Sequence, residues 1–293
     1  MAKSLPILDL EAENGPNPDR DSALGKLEAL RQDLAHRLRE GVLVAFSGGM
    51  DSAFLLWASH DVQRRKGGRL VALTTVSPST PEGDRDDAGR FAEELGVDHV
   101  WRESGEVSLP EYSRNDRERC YHCKAELFRI AGDVSREMGV RWLLYGYNAS
   151  DHEDDRPGHR AAREGGVLAP LSDAGLTKAE IRLLMKEEGL SLADKPASPC
   201  LSSRIMTGIE VTPEKLQDVQ ELESILRRAG VSVFRVRVCD AGSGARFLRV
   251  EVDPGEMESV LKCREELQRA GVSRGYRWVT LDLGGYRTGG GVA

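Results

Sequence analysis

The hexapeptide Ser-Gly-Gly-Met-Asp-Ser at residues 47–52 combines residue types that can bind an anion. It follows an apolar run that predicts a strand and precedes an apolar pattern that predicts a helix. Gly48 and Gly49 allow the backbone to turn tightly and to expose its N–H groups. The hydroxyls of Ser47 and Ser52 add donors, and the predicted helix adds the positive end of its dipole. The segment is therefore predicted to bind phosphate.

The sequence of this turn distinguishes between two classes of nucleotide-binding loop. It lacks the Gly-Lys-Ser/Thr ending with which a P-loop handles a γ-phosphate. Residues 47–52 resemble instead the PP-loop of ATP pyrophosphatases, which cleave ATP between the α- and β-phosphates and adenylate a substrate. The alternative is an ordinary glycine-rich turn between a strand and a helix.

Three of the five cysteines lie in segments that favour thiolate chemistry. Cys120 and Cys123 form a C-x2-C pair at the predicted start of a helix, between Arg119 and Lys124. A helix N-terminus and basic neighbours both favour a thiolate. Cys200 lies far away in the sequence and could supply a third thiolate to the same site.

These cysteines are compatible with more than one kind of metal site. Three thiolates can hold a [4Fe–4S] cluster and leave one iron open. A structural zinc site needs a fourth ligand, and His122 is the nearest candidate. Cys239 and Cys263 fall in strand and helix patterns, so we interpret both as small apolar residues.

Strands and helices alternate through the first two thirds of the chain, which predicts an α/β domain with a parallel sheet. Ligands bind such sheets at the carboxyl ends of the strands, where residues 47–52 would lie. Thr177 and Glu180 form a predicted capping box. The predicted strands are 42–46, 70–76, 99–102 and 141–147, and the predicted helices include 24–38, 81–95, 121–138 and 177–188.

The pattern changes near residue 195 and then predicts a smaller α+β domain. Its predicted elements are a helix at 213–229, strands at 234–238 and 247–252, a helix at 254–270 and a strand at 276–283. We therefore predict a mobile tail at 1–21, a PP-loop ATP-binding domain at 22–195, and a C-terminal α+β domain at 196–293.

The composition is that of a globular protein, with 293 residues, 40% hydrophobic and 30% charged. The net charge of −7 makes a nucleic-acid partner unlikely, because phosphate backbones require a basic face. No apolar run reaches membrane-spanning length and no signal peptide is evident, so we expect a cytoplasmic protein without a membrane partner. In a reducing compartment, cysteines indicate metal binding or catalysis before disulfides.

From about residue 24 to residue 289 the chain resembles the LarE family of ATP-dependent sulfur transferases. These enzymes convert the two carboxylates of pyridinium-3,5-biscarboxylic acid mononucleotide into thiocarboxylates, on the way to the nickel-pincer nucleotide of lactate racemase. The order and spacing of the similar segments carry the resemblance. These segments are 47–52, 119–124, 146–151, 156–158, 169–171, 176–182, 199–204, 235–237 and 275–282.

The resemblance implies one of two routes for the sulfur. In some members the cysteine that matches Cys200 is sacrificial: its thiolate displaces AMP, and β-elimination leaves a thiocarboxylate and a dehydroalanine. Other members carry all three cysteines and resemble enzymes that insert sulfur from a [4Fe–4S] cluster. Cys120 and Cys123 place this chain with the second group, with Cys120, Cys123 and Cys200 as the metal ligands.

The resemblance also implies roles for individual residues. Asp151 is expected to contact Mg2+ or the activated carboxylate, with a plain turn residue as the alternative. Sulfide or another sulfur donor, and assembly as a homo-oligomer, are implied as well. The residues implied to bind the ATP phosphates are Ser47, Gly48, Gly49, Asp51 and Ser52. Those implied to bind the substrate phosphate are Lys124, Ser203, Arg204, Arg235 and Arg237.

One segment departs from the family pattern, and two other classes of protein stay open. After Arg237 the family tends to show a His-Gly-Asp-like turn, whereas this chain has a longer turn at 238–244 without the histidine. A PP-loop tRNA thiolation enzyme would also combine adenylation with cysteine or cluster sulfur, although the acidic charge argues against it. A non-catalytic protein that binds a nucleotide or zinc is the other alternative.

Overall fold

The computed structural model describes residues 18–153, 157–196, 198–242 and 244–287. Its first sheet has four parallel strands in the order β3-β2-β1-β4, and its second has three strands in the order β5-β6-β7. In the second sheet β5 and β6 are antiparallel, while β6 and β7 are parallel. The predicted α/β fold with a smaller α+β part is confirmed.

The elements of the first part position the candidate site. The helices are α1 (Arg20–Arg37), α2 (Met50–Lys66), α3 (Glu82–Leu95), α4 (Pro110–Ser113), α5 (Arg119–Met138), α6 (Pro157–Glu164), α7 (Pro170–Asp173) and α8 (Lys178–Glu187). The strands are β1 (Val42–Ala45), β2 (Leu70–Val76), β3 (Asp98–Glu103) and β4 (Trp142–Tyr145).

The second part contains fewer elements. They are α9 (Pro213–Arg228), β5 (Phe234–Asp240), β6 (Arg246–Val252), α10 (Met257–Lys262), α11 (Arg264–Ser273) and β7 (Val279–Leu281). Short 3₁₀ turns lie at Glu106–Ser108, Ala149–Glu153, Leu201–Arg204 and Pro254–Glu256.

The parallel sheet is covered on both faces, as its apolar strands require. All four residues of β1 are buried. Helices α1, α2 and α8 supply the main core on one face, and α5 packs on the other through a cluster that includes Leu43, Ile130 and Val134. Thr177 and Glu180 form the predicted capping box at the start of α8. Strand β1 ends at Ala45, and the turn that follows it leads to the start of α2 at Met50.

The second core draws residues from the first part of the chain. Val107 and Tyr112 are buried in the same cluster as Leu216, Val236 and Val250. The segment that precedes α5 is thus packed between the two sheets. In the described part of the chain, no helix is both long and apolar enough to cross a bilayer.

Several predicted boundaries differ from the structure. The helix predicted at 254–270 is interrupted at Cys263, whose φ of −102° and ψ of 13° are not helical. Of the strand predicted at 276–283, the residues that pair with β6 are Val279–Leu281. Tyr276, at its predicted start, is instead buried and donates its hydroxyl to Asp218 on α9. Helix α1 begins at Arg20, inside the predicted tail, and residues 1–17 lie outside the described residues.

Candidate active site

The turn after β1 has the geometry of an anion site. Gly48 has a φ of +74°, and a Cβ at this position would lie 2.6 Å from the carbonyl oxygen of Asp84. Gly49 is the N-cap residue of α2 and has no side chain with which to cap it. The first N–H groups of α2 therefore have no capping side chain, which leaves them able to bind an anion.

Ser47 and Ser52 hold the turn closed. The hydroxyl of Ser52 accepts from the backbone N–H of Ser47 at 3.3 Å and donates to the carbonyl of Gly49 at 3.0 Å. The two hydroxyls lie 3.2 Å apart. Both serines thus shape the loop, in addition to the phosphate contacts predicted for them.

Asp51 and Asp151 come together because the end of β4 packs directly on the start of α2. A Cβ on Gly146 would lie 2.6 Å from the backbone nitrogen of Ser52, so only glycine permits this approach. Burial, and then the negative charge of Asp151, raise the pKa of Asp51 to about 6. Among the described residues, Oδ1 of Asp51 has no hydrogen-bond partner. Two neighbouring carboxylates of this kind suit a divalent cation.

Asp151 also stabilises its own turn. Its Oδ2 accepts from the backbone N–H of Asn148 at 3.2 Å. The two roles considered for Asp151, a turn residue and a ligand near the phosphates, are therefore compatible in this geometry.

Lys195 connects the nucleotide loop with the segment that leads to Cys200. Its ammonium group donates to the carbonyl of Gly48 at 2.9 Å and pairs with Asp84 at 2.8 Å and Asp87 at 2.7 Å. Its side chain is 12% exposed, so this is a largely buried cluster. The contact ties the predicted boundary between the two parts directly to the candidate ATP site.

The three predicted cysteines lie in one neighbourhood. Cys120 is exposed and Cys123 half-buried at the start of α5, and Cys200 lies half-buried just before the 3₁₀ turn at Leu201–Arg204. The pKa of Cys123 is raised to about 12, mainly by burial. The positive charge of Lys124 lowers this pKa, whereas the negative charges of Cys200, Glu106 and Cys120 raise it. Cys123 is therefore a neutral thiol at neutral pH.

The cysteines match an iron–sulfur cluster in donor type but do not form a preformed ligand set. Within the described ranges, no group of three or more Cys, His, Asp or Glu side chains is arranged to hold a metal ion. All five cysteines are free thiols. Cluster binding would have to displace the proton of Cys123 and draw the three sulfur atoms together.

Three arginines hold backbone carbonyls of the loop that carries Cys200. Arg119 donates to the carbonyl of Ser202 at 2.8 Å, and Arg237 donates to that of Ser203 at 3.0 Å. Arg204 donates to the carbonyl of Cys200 at 3.1 Å and to that of the preceding proline. The backbone of this loop is thus fixed from several sides.

Two of these arginines are also paired with buried carboxylates. Arg204 Nε lies 3.0 Å from Glu223, with side chains 3% and 5% exposed, and Arg237 Nε lies 2.7 Å from Glu251. These contacts occupy many of the guanidinium N–H donors that the predicted substrate-phosphate pocket would require.

The other predicted phosphate ligands lie around the same loop. Arg235 lies over the ring of Tyr286, and burial, followed by the charge of Arg204, lowers its pKa. The Ser203 hydroxyl accepts from Arg204 at 3.2 Å. Lys124 stands one residue after Cys123, and its Cγ would lie 3.0 Å from a Cβ on Gly158.

Comparison with known proteins shows to which family the chain belongs. No protein-family model matches the chain. An uncharacterised protein of Synechocystis is 38% identical over 266 residues, covering 90% of this chain and 96% of the relative. Pyridinium-3,5-bisthiocarboxylic acid mononucleotide synthase of Lactiplantibacillus plantarum is 32% identical over 248 residues, covering 85% and 87%. The chain belongs to the LarE family.

The family membership makes this LarE-family protein an enzyme of the synthase type. A more distant similarity reaches the tRNA(Ile)-lysidine synthase of Hyphomonas neptunium, 27% identical over 180 residues and covering 53% of this chain and 46% of the relative. That similarity agrees with a PP-loop fold.

One buried carboxylate near the cysteines of this LarE-family enzyme was missed from the sequence. Glu106 is 2% exposed, accepts from the hydroxyls of Ser77 and Ser79, and has no hydrogen-bond partner for Oε2 among the described residues. The carbonyl of Ser79 accepts from the N–H of Leu201, beside Cys200. No local pattern marks Glu106, because a glutamate in a polar connection normally lies at the surface.

Proposed function

We propose that this LarE-family enzyme uses ATP to adenylate the carboxylates of pyridinium-3,5-biscarboxylic acid mononucleotide and converts them to thiocarboxylates for the nickel-pincer cofactor. The relative from Lactiplantibacillus plantarum is named for the thiocarboxylate product. The observation that carries the proposal is the direct link between the two chemical centres. Lys195 contacts Gly48 of the nucleotide loop, and the loop of Cys200 contacts Ser79 at the end of the neighbouring strand.

Activation would take place at the turn after β1. A carboxylate oxygen of the substrate would attack the α-phosphorus of ATP, and pyrophosphate would leave. Ser47, Gly48, Gly49 and Ser52 would bind the leaving phosphates through backbone and hydroxyl donors, helped by the dipole of α2. Asp51, together with Asp151, would hold Mg2+, which would screen the charge of the pyrophosphate.

Sulfur would then replace AMP at the activated carboxyl carbon. We propose the cluster-dependent route because Cys123 is near enough to both Cys120 and Cys200 for their charges to raise its pKa. A [4Fe–4S] cluster on Cys120, Cys123 and Cys200 would supply an exchangeable sulfide, replenished by free sulfide or another donor. Without a cluster, Cys200 itself would be the nucleophile and would end as dehydroalanine.

The mononucleotide phosphate would lie beside the loop of Cys200. Ser203 lies in this loop, and Arg204 and Arg237 donate to its backbone carbonyls. We propose that these three residues bind the phosphate together with Lys124 and Arg235. Arginine suits this role because its fork binds phosphate in a bidentate manner.

Iron and labile sulfide, measured anaerobically with a visible spectrum, test the route. We expect about four irons per chain in the wild type, as a [4Fe–4S] cluster requires, and their loss in Cys120→Ala. Cys263→Ala is the matched control, because Cys263 is a half-buried cysteine outside this neighbourhood and should retain the iron. No iron after anaerobic reconstitution, with Cys200 losing its own sulfur on turnover, would establish the sacrificial route instead.

Release of AMP tests the substrate class separately. We expect AMP formation from ATP to depend on the pyridinium mononucleotide and to be unaffected by tRNA. Stimulation by tRNA, with binding that weakens as salt increases, would support a tRNA thiolation enzyme instead. Tightly held zinc without any AMP formation would support a non-catalytic protein.

We also propose that the enzyme assembles as a homo-oligomer, which light scattering measures directly.

A further inference from the structure

Arginine side chains donate to several backbone carbonyls of the Cys200 loop, residues 199–204. Arg204 and Arg237 each use one nitrogen for a loop carbonyl and Nε for a carboxylate. Each guanidinium is therefore a bridge between the loop and a glutamate. Because the guanidinium is planar, the position of the carboxylate determines the position of the nitrogen that holds the loop.

Glu223 connects three elements. On α9 it accepts from Arg204 Nε at 3.0 Å, and it also accepts from the backbone N–H of Val236 on β5 at 3.1 Å. This side chain thus fixes Arg204 to both the helix and the sheet of the second part. A position buried this deeply requires that the charges compensate each other.

Glu251 binds Arg237 in the way that Glu223 binds Arg204. Its Oε1 accepts from Arg237 and from Arg249, each at 2.7 Å. In the antiparallel register Glu251 on β6 stands opposite Arg235 on β5. Arg237 then reaches from β5 to the carbonyl of Ser203.

We propose that Glu223 and Glu251 are positioning residues, which fix the backbone of the Cys200 loop through Arg204 and Arg237. Without its carboxylate, each arginine would be a buried charge without its compensating partner and would move toward solvent or toward a bound phosphate. The loop carbonyls would then lose their donors, and the sulfur site would no longer be held in a single position relative to the activated carboxylate. An error of about 1 Å in such a position slows the chemical step strongly.

The proposal is tested with Glu223→Gln and Glu251→Gln in the full chain, by hydrogen–deuterium exchange and by steady-state kinetics. The exchange readout needs no turnover, so its result is independent of the proposed function. We expect the amides of Ser203 and Ile205, which are hydrogen-bonded within the loop, and that of Leu201, which donates to the carbonyl of Ser79, to exchange about ten times faster. Peptides that cover β1 and α2 should exchange at the wild-type rate.

The kinetic readout separates positioning from phosphate binding. We expect kcat to fall about ten-fold while KM for the mononucleotide changes less than about two-fold. Glu266→Gln is the matched control, because it removes the same charge from an exposed pair with Arg228 and should change neither readout. If either glutamine variant does not fold, Arg204→Lys replaces it, since lysine keeps the charge but cannot bridge a carboxylate and two carbonyls.

Unchanged exchange in the loop would overturn the proposal, and so would faster exchange spread evenly over the whole chain. A rise in KM with unchanged kcat would also overturn it, because that result assigns the two arginines to substrate binding alone.

Discussion

At the scale of single residues, the nucleotide turn depends on one glycine more than on any other. Gly48 combines a left-handed backbone with the close approach of the Asp84 carbonyl. The sequence identified Gly48 as part of a tight turn, but the second constraint comes from α3. The consequence is that Gly48 tolerates no side chain for two independent reasons, only one of which is conformational.

Replacing Gly48 with alanine separates these reasons. Gly48→Ala should lower the free energy of unfolding by about 1–2 kcal/mol from the left-handed φ, and by a further ~1–3 kcal/mol from the contact with Asp84. Gly96→Ala is the matched control, because Gly96 has a left-handed backbone with φ of +69° and ψ of 32° and nothing within 4 Å of its added Cβ. Urea unfolding measures both, and AMP release should fall at least about ten-fold for Gly48→Ala alone. Equal losses for the two variants would show that the contact with Asp84 carries no cost.

Asp51 should make stability depend on pH in an unusual direction. Its folded pKa, raised to about 6, lies above the unfolded value of 3.8, so ionisation opposes folding and the penalty grows as pH rises from about 4 through 6. Asp51→Asn should therefore be more stable than the wild type, and the difference should grow by about 1–2 kcal/mol between pH 5 and pH 7.5.

Urea unfolding at the two pH values measures this difference. Asp98→Asn, at an exposed aspartate on β3, serves as the control and should show little change of this kind. AMP release by the wild type should rise through about pH 6, since a cation ligand must be ionised. A stability difference that shrinks as pH rises would contradict the assignment of Asp51 as a carboxyl whose ionisation is opposed by burial.

At the scale of elements, the site is made where the ends of strands meet the starts of helices. Strand β1 ends at the nucleotide turn, β2 leads to Ser77 and Ser79, and β4 leads through Gly146 to Asp151. The alternating pattern predicted the parallel sheet correctly. The segment between α8 and the Cys200 loop carried no such pattern, yet Lys195 within it is the contact that joins α3 to the nucleotide turn.

Lys195→Met tests this connection while keeping the apolar stem of the side chain. The free energy of unfolding should fall by about 2–3 kcal/mol, because two carboxylates and the Gly48 carbonyl lose a charged donor. KM for ATP should rise at the same time. Lys186→Met is the control, since Lys186 pairs with Asp194 at the surface and should cost less than about 0.5 kcal/mol. Equal effects of the two variants on stability and on KM would show that Lys195 is an ordinary surface lysine in solution.

At the scale of the whole molecule, one set of polar contacts between the first and second parts of the chain centres on a single residue. Asn115 is buried, has a φ of +56°, and donates from Nδ2 to the carbonyls of Ile205, Met206 and Ile209 at 2.8–3.2 Å. Its Oδ1 accepts from Arg119, which in turn holds the Cys200 loop. The same residue therefore connects the two cores and supports the site between them.

Two substitutions of Asn115 separate its backbone from its hydrogen bonds. Asn115→Gly keeps the left-handed conformation and should cost about 2–3 kcal/mol, because buried carbonyls lose their donor. Asn115→Ala should cost about 1 kcal/mol more, owing to the strained φ. Urea unfolding provides both values, and hydrogen exchange should increase on either side of the contact, in 106–115 and in 205–211. If the glycine variant is as stable as the wild type, the two cores are held together by apolar packing alone.

The sequence by itself determined the features that depend on near neighbours. The glycine turn at 47–52, the C-x2-C pair, the alternation of strands and helices, and the capping box of Thr177 and Glu180 are all set by residues a few positions apart. Such patterns reflect local backbone preferences and the period of burial, which are legible without the fold. They were sufficient to predict the α/β architecture, whereas the family was predicted from the order and spacing of similar segments along the whole chain.

Only the tertiary structure decided how the charged side chains are used. Arg204 and Glu223, or Lys195 and Gly48, are separated by 19 and 147 positions, and no local pattern links them. In a sequence, each charged residue is read as solvated, because such residues are rarely buried unless they are paired. The pairing depends on which segments the fold brings together, so the supports of the Cys200 loop became visible only once both sheets were in place.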